Sequence, residues 1–407
     1  MSIVVENKIA LLITWPRELD AMSFVIDNIG HDLVIIVDDF KYEDSTRIGK
    51  ADKIIKELVD ARKEFVLLSN IIHKIKYSYL FSTGLTFKNK FSVSTYALYL
   101  YGNSIGRLID ITGVSRFFNS LFGRSFTGGG ASAKKYNRAL VEKIIGEKTI
   151  RFPKGLDVSK SNFPIELWRD AFDVHLCHGD IDFNLVKRKF KKSKCIKVGY
   201  PKYDNLISPK QSKDIIYAEF SELDKNKPII FWSPTHVKFK NEIANNIKLW
   251  LSSVCELQNK YNIIIRLHPK TLSVYPDIIK NIEKLNFSID LRFKRKLHVM
   301  YQAADFILAD YGGSVFSAIY MKKKLLLLNL PSGSKFTEWR ETRHYLDFDD
   351  RSDIGCIDLN NKGDLLKMVD DIMSVDKSSK NKYLHEKYFS KGEDFISMGV
   401  LLNSLNV

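Results

Sequence analysis

The sequence predicts an α/β protein with two doubly wound parallel sheets, and three observations support this class. The chain has 407 residues, more than one hydrophobic core usually serves, so two domains are expected. Apolar residues make up 45% of the chain and aromatic residues 12%, which is enough for two cores. In both halves, short apolar runs alternate with stretches of helical spacing, as in parallel sheets covered by helices. We therefore expect two Rossmann-like domains that face a cleft.

The amino-terminal half begins with strand, helix and strand. Apolar runs of strand length occupy residues 9–13, 32–40 and 64–69, helical spacing marks residues 50–63, and later strands are predicted at 148–158 and 173–180. Residues 91–130 mix aromatic, aliphatic and arginine side chains and end in a glycine run. We interpret them as an insertion, either a packed pair of helices or a face that meets anionic lipid.

The carboxyl-terminal half repeats the alternation. Strands with their exit loops are predicted at 227–236, 261–270 and 323–330, a helix at 245–259, a helix followed by a strand at 297–310, and helical structure at 387–405. The turn GYPKYD, residues 199–204, is interpreted as the hinge between domains. The predicted domains are residues 1–204, with the insertion, residues 205–390, and a terminal helix at 391–407 that packs back on the first domain.

The charge of the chain indicates an anionic partner. The formal net charge is +15, yet the sequence contains no zinc-finger, RNP-type or basic-zipper pattern, so we expect no nucleic-acid partner. The lysine-rich segment 187–206 either contacts phosphates or forms a solvated surface. Four scattered cysteines without a CxxC pair indicate reduced thiols in the cytoplasm. No apolar stretch approaches a membrane span, so we expect a soluble protein or one attached peripherally.

The stretch IIIRLHPK, residues 263–270, combines a buried strand with cationic and imidazole side chains. Its β-branched run ends at Pro269, which cannot donate a hydrogen bond to a sheet. Arg266, His268 and Lys270 would then stand at the carboxyl end of the strand, the edge at which open α/β sheets bind ligands. The stretch therefore predicts an anion-binding edge.

A second candidate site follows the strand that ends at Asp310. Gly312 and Gly313 allow close backbone approach, and Ser314 opens a helix. Free amides and the helix dipole at such a junction bind phosphate, although the same residues also form an ordinary capped turn. Strands of successive α/β units end at His236, His268 and Asp310. Because a parallel sheet brings these ends to one edge, we predict a diphosphate pocket there.

Five stretches of the second half carry a resemblance to a known family. They read FWSPTH, IIIRLHPK, ADFILADYGGSVFSAIYMKKKLLLLNLP, TEWRETRHYLDFDD and KGEDFISMGVLLNSL. As an ordered set they resemble the CDP-glycerol glycerophosphotransferase family, the teichoic-acid primases and polymerases, and GYPKYD resembles a turn of that family. The resemblance implies a GT-B-like fold. It also implies transfer of glycerol phosphate or ribitol phosphate from a CDP-activated donor to a cell-surface glycan or lipid-linked acceptor.

The resemblance also implies residues of the donor pocket. His268 and Ser314 would hold the diphosphate of the donor, and Thr235 and Arg343 match positions that line the same pocket. The serine pair of the family appears here as Gly313 and Ser314, so one hydroxyl is absent.

The catalytic base is expected on the first domain. The family usually has a histidine before a glycine there, whereas this sequence has Lys154 before Gly155. A lysine acts as a base at neutral pH only when its pKa is lowered, so His178, Asp180 and Asp182 are further candidates. His178 is equally explained as a strand-end histidine with a hydrogen-bond partner. A single Asp-x-Asp is a common chance match, and we expect neither a metal nor a cofactor besides the nucleotide donor.

Two other functions fit the sequence. One is a GT-B glycosyltransferase that uses a CMP- or UDP-linked sugar in capsule, lipopolysaccharide or other polysaccharide synthesis, which the missing histidine keeps open. The other is a basic protein that binds nucleic acid or membrane without catalysis. For the transferase we expect a nucleotide-activated donor and a glycan or lipid-linked acceptor as partners. We expect it in the bacterial cytoplasm, with the inner face of the plasma membrane as an alternative site of attachment.

Overall fold

A computed structural model describes ten segments of the chain. They are residues 4–29, 32–40, 49–84, 141–153, 155–156, 172–203, 207–292, 295–376, 378–389 and 395–405. The predicted insertion at 91–130, Lys154 and Asp204 at the end of the predicted hinge lie outside the described residues.

The first sheet has seven parallel strands within the described segments, in the order β3-β2-β1-β4-β5-β6-β7. Their bounds are β1 Val4–Ile13, β2 Leu33–Val37, β3 Val66–Leu67, β4 Ile75–Ser82, β5 Gly146–Arg151, β6 Val174–Cys177 and β7 Lys194–Lys197. Leu11 and Ile13 pack in one hydrophobic cluster and Ala10 and Leu12 in another. Alternate residues of β1 thus bury both faces of the sheet, which explains why the run 9–13 is apolar throughout.

Helices cover the first sheet. They are Arg17–Ala21, Ser23–Asn28, Lys50–Asp60, Leu68–Ile71, Val141–Ile145 and Asp180–Lys189. The carboxyl-terminal helix Met398–Ser404 joins them, because Met398, Leu401 and Leu402 lie in the same hydrophobic cluster as Leu11. The preceding segment also reaches this sheet, since the amide of Ile396 donates to the Lys197 carbonyl at 2.9 Å.

The second sheet has six parallel strands in the described residues, in the order β10-β9-β8-β11-β12-β13. They are β8 Ile229–Ser233, β9 Asn262–Ile265, β10 Ser288–Ile289, β11 Phe306–Ala309, β12 Lys324–Leu328 and β13 Cys356–Ile357. Its longer helices are Pro209–Glu219, Asn245–Glu256, Leu297–Ala303, Gly313–Tyr320, Lys335–Glu341, Leu365–Ser374 and Ser378–Phe389. Shorter ones are Pro269–Val274, Ile278–Glu283, Leu346–Asp349 and Arg351–Ile354. The predicted α/β class with two parallel sheets is confirmed.

An aromatic cluster around Tyr200, in the predicted hinge, joins the two domains. Its ring lies 5.6 Å from that of Tyr320 and 6.1 Å from that of Phe389, measured between centroids. Beside this cluster, Lys202 Nζ lies 2.7 Å from Oδ2 of Asp20, a carboxylate of the first domain. Burial opposes the charged form of Lys202, but Asp20 outweighs it, and the pKa of Lys202 is raised. The connection is therefore a packed contact.

Three elements differ from the sequence-based expectations. Strand β4, with the sequence IKYSYLFS, was not predicted, although it lies next to β1 in the sheet. Strand β7 lies within the lysine-rich segment 187–206, where no strand was predicted. The helical structure predicted at 387–405 is interrupted: one helix ends at Phe389, and Ser397 caps a separate helix by accepting the Val400 amide. None of the helices in the described segments has the length and apolar character that a bilayer span requires.

Candidate active site

The candidate site lies along the carboxyl edge of the second sheet. Strands β9, β8 and β11 are neighbours in that order, so the residues that follow them share one edge. His236 follows β8 and His268 follows β9. Their imidazole rings stack with centroids 5.6 Å apart. The structure thus brings together two of the residues that the sequence places at this edge.

His268 carries an imidazole that is neutral at neutral pH. Its Nδ1 accepts a hydrogen bond from the Lys270 amide at 3.0 Å, so the proton of the neutral ring is on Nε2. Crowding by protein atoms lowers the pKa of His268 to about 4, with further repulsion from His236, Arg17 and Lys270. The residue still has an exposed surface that a ligand can reach. Its Nε2–H is therefore a hydrogen-bond donor in a positive field, which suits a phosphate oxygen.

His236 is held by the helix that follows His268. Its Nδ1 lies 3.0 Å from the hydroxyl of Thr271, a buried residue. Burial, with a smaller effect of Lys270, lowers the pKa of His236. The edge therefore presents two imidazoles whose charged forms are both disfavoured.

The turn after β11 requires glycine at one of its two glycine positions. Gly312 has φ +82°, a conformation that is costly for other residues, and its amide donates to Asp347 Oδ2 at 2.8 Å. A Cβ placed on Gly313 would meet no atom within 4 Å. The half-exposed Ser314 donates its hydroxyl to the Tyr311 carbonyl at 3.4 Å. Gly312 thus forms the turn, and the space beside Gly313 is open to a ligand.

Asp310 fixes the loops that follow β8 and β11. Its buried carboxylate accepts hydrogen bonds from the amides of Thr235, at 2.9 and 3.1 Å, and Tyr311, at 2.6 Å, and from the side chain of Asn246. Burial raises the pKa of Asp310, and these donors, with the nearby Arg351, oppose the rise. Because protein donors surround its oxygens, Asp310 has the contacts of a positioning residue. Direct contacts of Asp310 and Thr235 with the nucleotide donor stay predictions.

Arg266 is paired with a buried carboxylate. Its Nη1 lies 2.8 Å from Asp290 Oδ2, and Asp290 also accepts from Arg295 Nε at 3.3 Å. A guanidinium that compensates a buried aspartate has less charge to offer a phosphate. The role of Arg266 in donor binding stays a prediction. The exposed side chain of Lys270, next to His268, is the more accessible cation.

A buried ionic network supports the glycine turn. Asp347 Oδ1 accepts from the Arg340 guanidinium, and Arg351 donates to the carbonyls of Asp310, at 2.6 Å, and Leu328, at 3.0 Å. Sequence reasoning missed these residues. Asp347 lies in the stretch YLDFDD, in which the local pattern does not distinguish a buried aspartate from an exposed one. The burial of Asp347 depends on contacts with the turn after β11, which the sequence alone does not show.

Arg343, predicted to line the donor pocket, lies just after the helix that contains Arg340. Its Nη1 donates to the Trp339 carbonyl at 3.5 Å, and its Cζ lies 5.3 Å from the Trp339 ring centroid. The side chain is half-buried against this indole. The role of Arg343 in the donor pocket stays a prediction.

The predicted base candidates lie at the carboxyl end of β6. His178 is buried, its Nδ1 lies 3.2 Å from Asp182 Oδ2, and its Nε2 has no hydrogen-bond partner among the described residues. Asp182 also accepts from the amides of His178, at 2.8 Å, and Gly179, at 3.0 Å, and so caps the following helix. Asp180 pairs with Lys197 at 2.8 Å.

These contacts leave the identity of the base a prediction. A buried imidazole with one nitrogen not hydrogen-bonded fits a base that is uncovered when the acceptor binds, and it fits a packed structural histidine equally well. Asp180 is engaged by a lysine, and Lys154 lies outside the described residues. Within the described residues, no group of three or more His, Cys, Asp or Glu side chains is placed to hold a metal ion.

A cationic and aromatic loop follows β1 on the first domain. Lys50 Nζ lies 2.8 Å and Arg17 Cζ lies 5.4 Å from the Trp15 ring centroid. The loop is held by buried Glu18, which accepts the Trp15 amide at 3.1 Å. Arg17 is close enough to His268 to lower its pKa, so this loop faces the edge of the second sheet. Sequence reasoning did not single it out.

The two parallel sheets with their covering helices form a GT-B-like fold. The sequence model of the family "CDP-Glycerol:Poly(glycerophosphate) glycerophosphotransferase" matches residues 166–390, which is more than half of the chain. The protein therefore belongs to this family of transferase enzymes, and the predicted resemblance is confirmed.

Solved structures with the same fold include a wall teichoic acid polymerase. The structure of the polymerase TagF has a TM-score of 0.59 to this chain at 12% identity, over 98% of this chain and 87% of that one. A TagF variant soaked with CDPG has a TM-score of 0.57 at 12% identity, over 99% and 88% of the two chains. At this identity the likeness establishes the fold alone. No curated protein sequence matches the chain.

Proposed function

We propose that the protein transfers a polyol phosphate, glycerol phosphate or ribitol phosphate, from a CDP-activated donor to a glycan or lipid-linked acceptor. The observation that carries the proposal is the family match over residues 166–390, which include the whole carboxyl edge of the second sheet. That edge offers a neutral hydrogen-bond donor at His268, an exposed cation at Lys270 and open space beside Gly313. A diphosphate is complementary to this combination.

The proposed reaction is a phosphoryl transfer. The acceptor hydroxyl oxygen attacks the phosphorus that bears the polyol, a new P–O bond forms as the P–O bond to CMP breaks, and the hydroxyl proton passes to a base. CMP leaves with additional negative charge. Fixed donors around it, such as Nε2–H of His268 and the amides at the start of the helix after Gly312, lower the barrier. Domain closure would exclude water and suppress hydrolysis of the donor.

The test of the reaction is a panel of donors. CDP-glycerol, CDP-ribitol, a CMP-linked sugar and a UDP-linked sugar are incubated with the purified protein, with and without acceptor. We expect acceptor-dependent CMP release from a CDP-polyol, with polyol phosphate found in the product by mass spectrometry. Release of UDP, or transfer of the sugar from the CMP-linked donor, contradicts the proposal and supports a glycosyltransferase.

The role of His268 is tested by His268→Ala. Loss of one fixed donor to the leaving phosphate should reduce turnover by roughly a hundredfold or more. The matched control is His73→Asn, because His73 is exposed on the first domain and has φ +65°, which asparagine tolerates. A folded His268→Ala variant with wild-type turnover would remove His268 from the mechanism.

We further propose a division of labour between the domains. Residues 1–204 would receive the acceptor, residues 205–390 would bind the nucleotide donor, and residues 391–407 would return to the first domain, which the packing of Met398 in its core supports. The charge of +15 supports attachment to the anionic inner face of a bacterial plasma membrane during polysaccharide synthesis. Co-sedimentation with anionic vesicles, compared with neutral vesicles, tests the attachment.

A further inference from the structure

A surface of uncompensated cations lies at the end of helix Asp180–Lys189. We call it the cation run, and its six exposed members are Lys187, Arg188, Lys189, Lys191, Lys192 and Lys194. In the part of the chain that the structure describes, none of the six forms an ion pair, whereas the neighbouring Lys197 pairs with Asp180. Residues 183–203 contain no acidic residue. The positive charge of this surface is therefore not balanced locally.

The helix end accounts for only half of the cation run. Cations in the last turn of a helix interact favourably with its dipole, by about 0.3–1 kcal/mol each. Lys187, Arg188 and Lys189 occupy that turn. Lys191, Lys192 and Lys194 lie beyond it, where the dipole effect fades and mutual repulsion remains. The additional three lysines thus indicate a partner that is anionic.

A groove lies beside the cation run. It has a volume of about 590 Å³, and its lining residues are Ile181, Asn184, Leu185, Lys187, Arg188, Asp350 and Lys387. The helix that forms one wall begins just after β6, beside His178, and ends in the cation run. From Ile181 to Arg188 the wall spans roughly 10 Å at the rise of an α-helix. The groove therefore lies along the helix that ends in the cation run.

The charges in the groove favour an anion with uncharged segments. Asp350 is compensated, because Lys387 Nζ lies 3.5 Å from its Oδ1 and the Tyr388 hydroxyl donates to its Oδ2 at 2.7 Å. Lys187 and Arg188 add positive charge, while Ile181 and Leu185 add apolar surface. A polyol-phosphate chain alternates one phosphate charge with a short uncharged carbon segment. This alternation matches the mixture of cations and aliphatic side chains in the groove.

We propose that this groove and the cation run bind an anionic polyol-phosphate chain carried by the acceptor, outside the reaction centre. The inference rests on the proposed function, since it takes the substrate class from that reaction. A groove accommodates a linear chain, whereas a bilayer surface requires a broad, convex or flat face. Each further phosphate that reaches a cation strengthens binding, so longer acceptors bind more tightly, and the gain falls with salt.

The test compares a cation-run variant with a matched control. The variant is Lys191→Gln, Lys192→Gln and Lys194→Gln combined, and the control is Lys225→Gln, Lys284→Gln and Lys362→Gln combined, three exposed lysines of the second domain. Binding of a short and a long synthetic oligo(glycerol phosphate) is measured by fluorescence anisotropy at low and high salt. We expect the variant to weaken binding of the long chain by roughly tenfold and to reduce the salt dependence, with a smaller effect on the short chain.

Equal affinity of the wild type and the cation-run variant for the long chain would overturn the inference. If that variant also loses co-sedimentation with anionic vesicles, the surface is a membrane contact. Because these measurements use no nucleotide donor, their outcome is independent of CDP-glycerol turnover. Absent turnover with intact chain binding would count against the proposed function alone.

Discussion

Removal of the Asp347 carboxylate is expected to destabilise the second domain strongly. The carboxylate is fully buried; its Oδ2 accepts the Gly312 amide at 2.8 Å and its Oδ1 contacts the buried Arg340 guanidinium. Asp347→Ala breaks a buried ion pair by removing one partner, which typically costs about 3–5 kcal/mol. It also leaves the Gly312 amide without its acceptor, which typically costs about 1–3 kcal/mol. Because both effects arise in one network, we expect about 5 kcal/mol in total and not their full sum.

Thermal unfolding measures this change. For a domain of this size, one kcal/mol shifts Tm by about 2–4 °C, so Asp347→Ala should lower the transition of the second domain by about 10 °C or more. The control is Asp277→Ala, because Asp277 and its partner Lys280 are both exposed and their charged atoms lie 3.1 Å apart. An exposed pair of this kind contributes about 0–1 kcal/mol.

A double-mutant cycle separates the ion pair from simple loss of packing. If Arg340 and Asp347 compensate each other, Arg340→Leu combined with Asp347→Leu should destabilise by at least about 2 kcal/mol less than the sum of the single changes. Additive effects, or a Tm of Asp347→Ala equal to that of Asp277→Ala, would refute the reasoning that this network holds the glycine turn.

Four further predictions concern the candidate site. Gly312→Ala should destabilise by about 1–3 kcal/mol, measured by urea unfolding, because φ +82° is strained for alanine. Gly313→Ala should leave Tm unchanged but raise the KM for the donor, because its methyl group enters space that is free of protein atoms; an unchanged KM would place the diphosphate elsewhere. The pKa of His268, about 4, should rise in Arg17→Gln, measured by NMR titration, because a nearby positive charge is removed. The pKa of His268 is 6.5 in the unfolded chain and about 4 in the folded protein, so the unfolded chain binds the proton more tightly. As the pH falls from 6.5 to about 4, His268 therefore lowers the free energy of unfolding. The variant His268→Gln should lose less stability over this pH range.

The strands that sequence reasoning found are those with a continuous apolar run. Residues 9–13 and 263–265 are buried on both faces of their sheets, so every side chain in these runs is apolar. Strand β4 escaped because its sequence, IKYSYLFS, contains serines, tyrosines and a lysine, and several of these side chains are only half-buried. Strands β10 and β13 are two residues long each, too short for any periodic pattern.

The sequence predicted which edge of the sheet holds the candidate site, but not the hydrogen bonds and ion pairs within it. Parallel topology was sufficient to bring His236 and His268 together, because neighbouring strands in one direction end at one side. The partners of the predicted residues come from distant segments: Asp290 pairs with Arg266, and Asp347 accepts the amide of Gly312. Sequence spacing contains no information about such pairs, so residues expected to contact a ligand directly include some that hold the loops in place.

The protonation state of His268, on the second domain, depends in part on a residue of the first domain. A protonated imidazole would attract a diphosphate more strongly in the ground state, but it would do so before and after the P–O bond breaks. In the proposed reaction, a neutral Nε2–H would bond only modestly to the resting phosphate and more strongly as charge develops on the leaving CMP, which is the differential interaction that accelerates a reaction. Burial is the main cause of the neutral ring, and Arg17 of the first domain adds to it, so a first-domain residue influences the charge of His268.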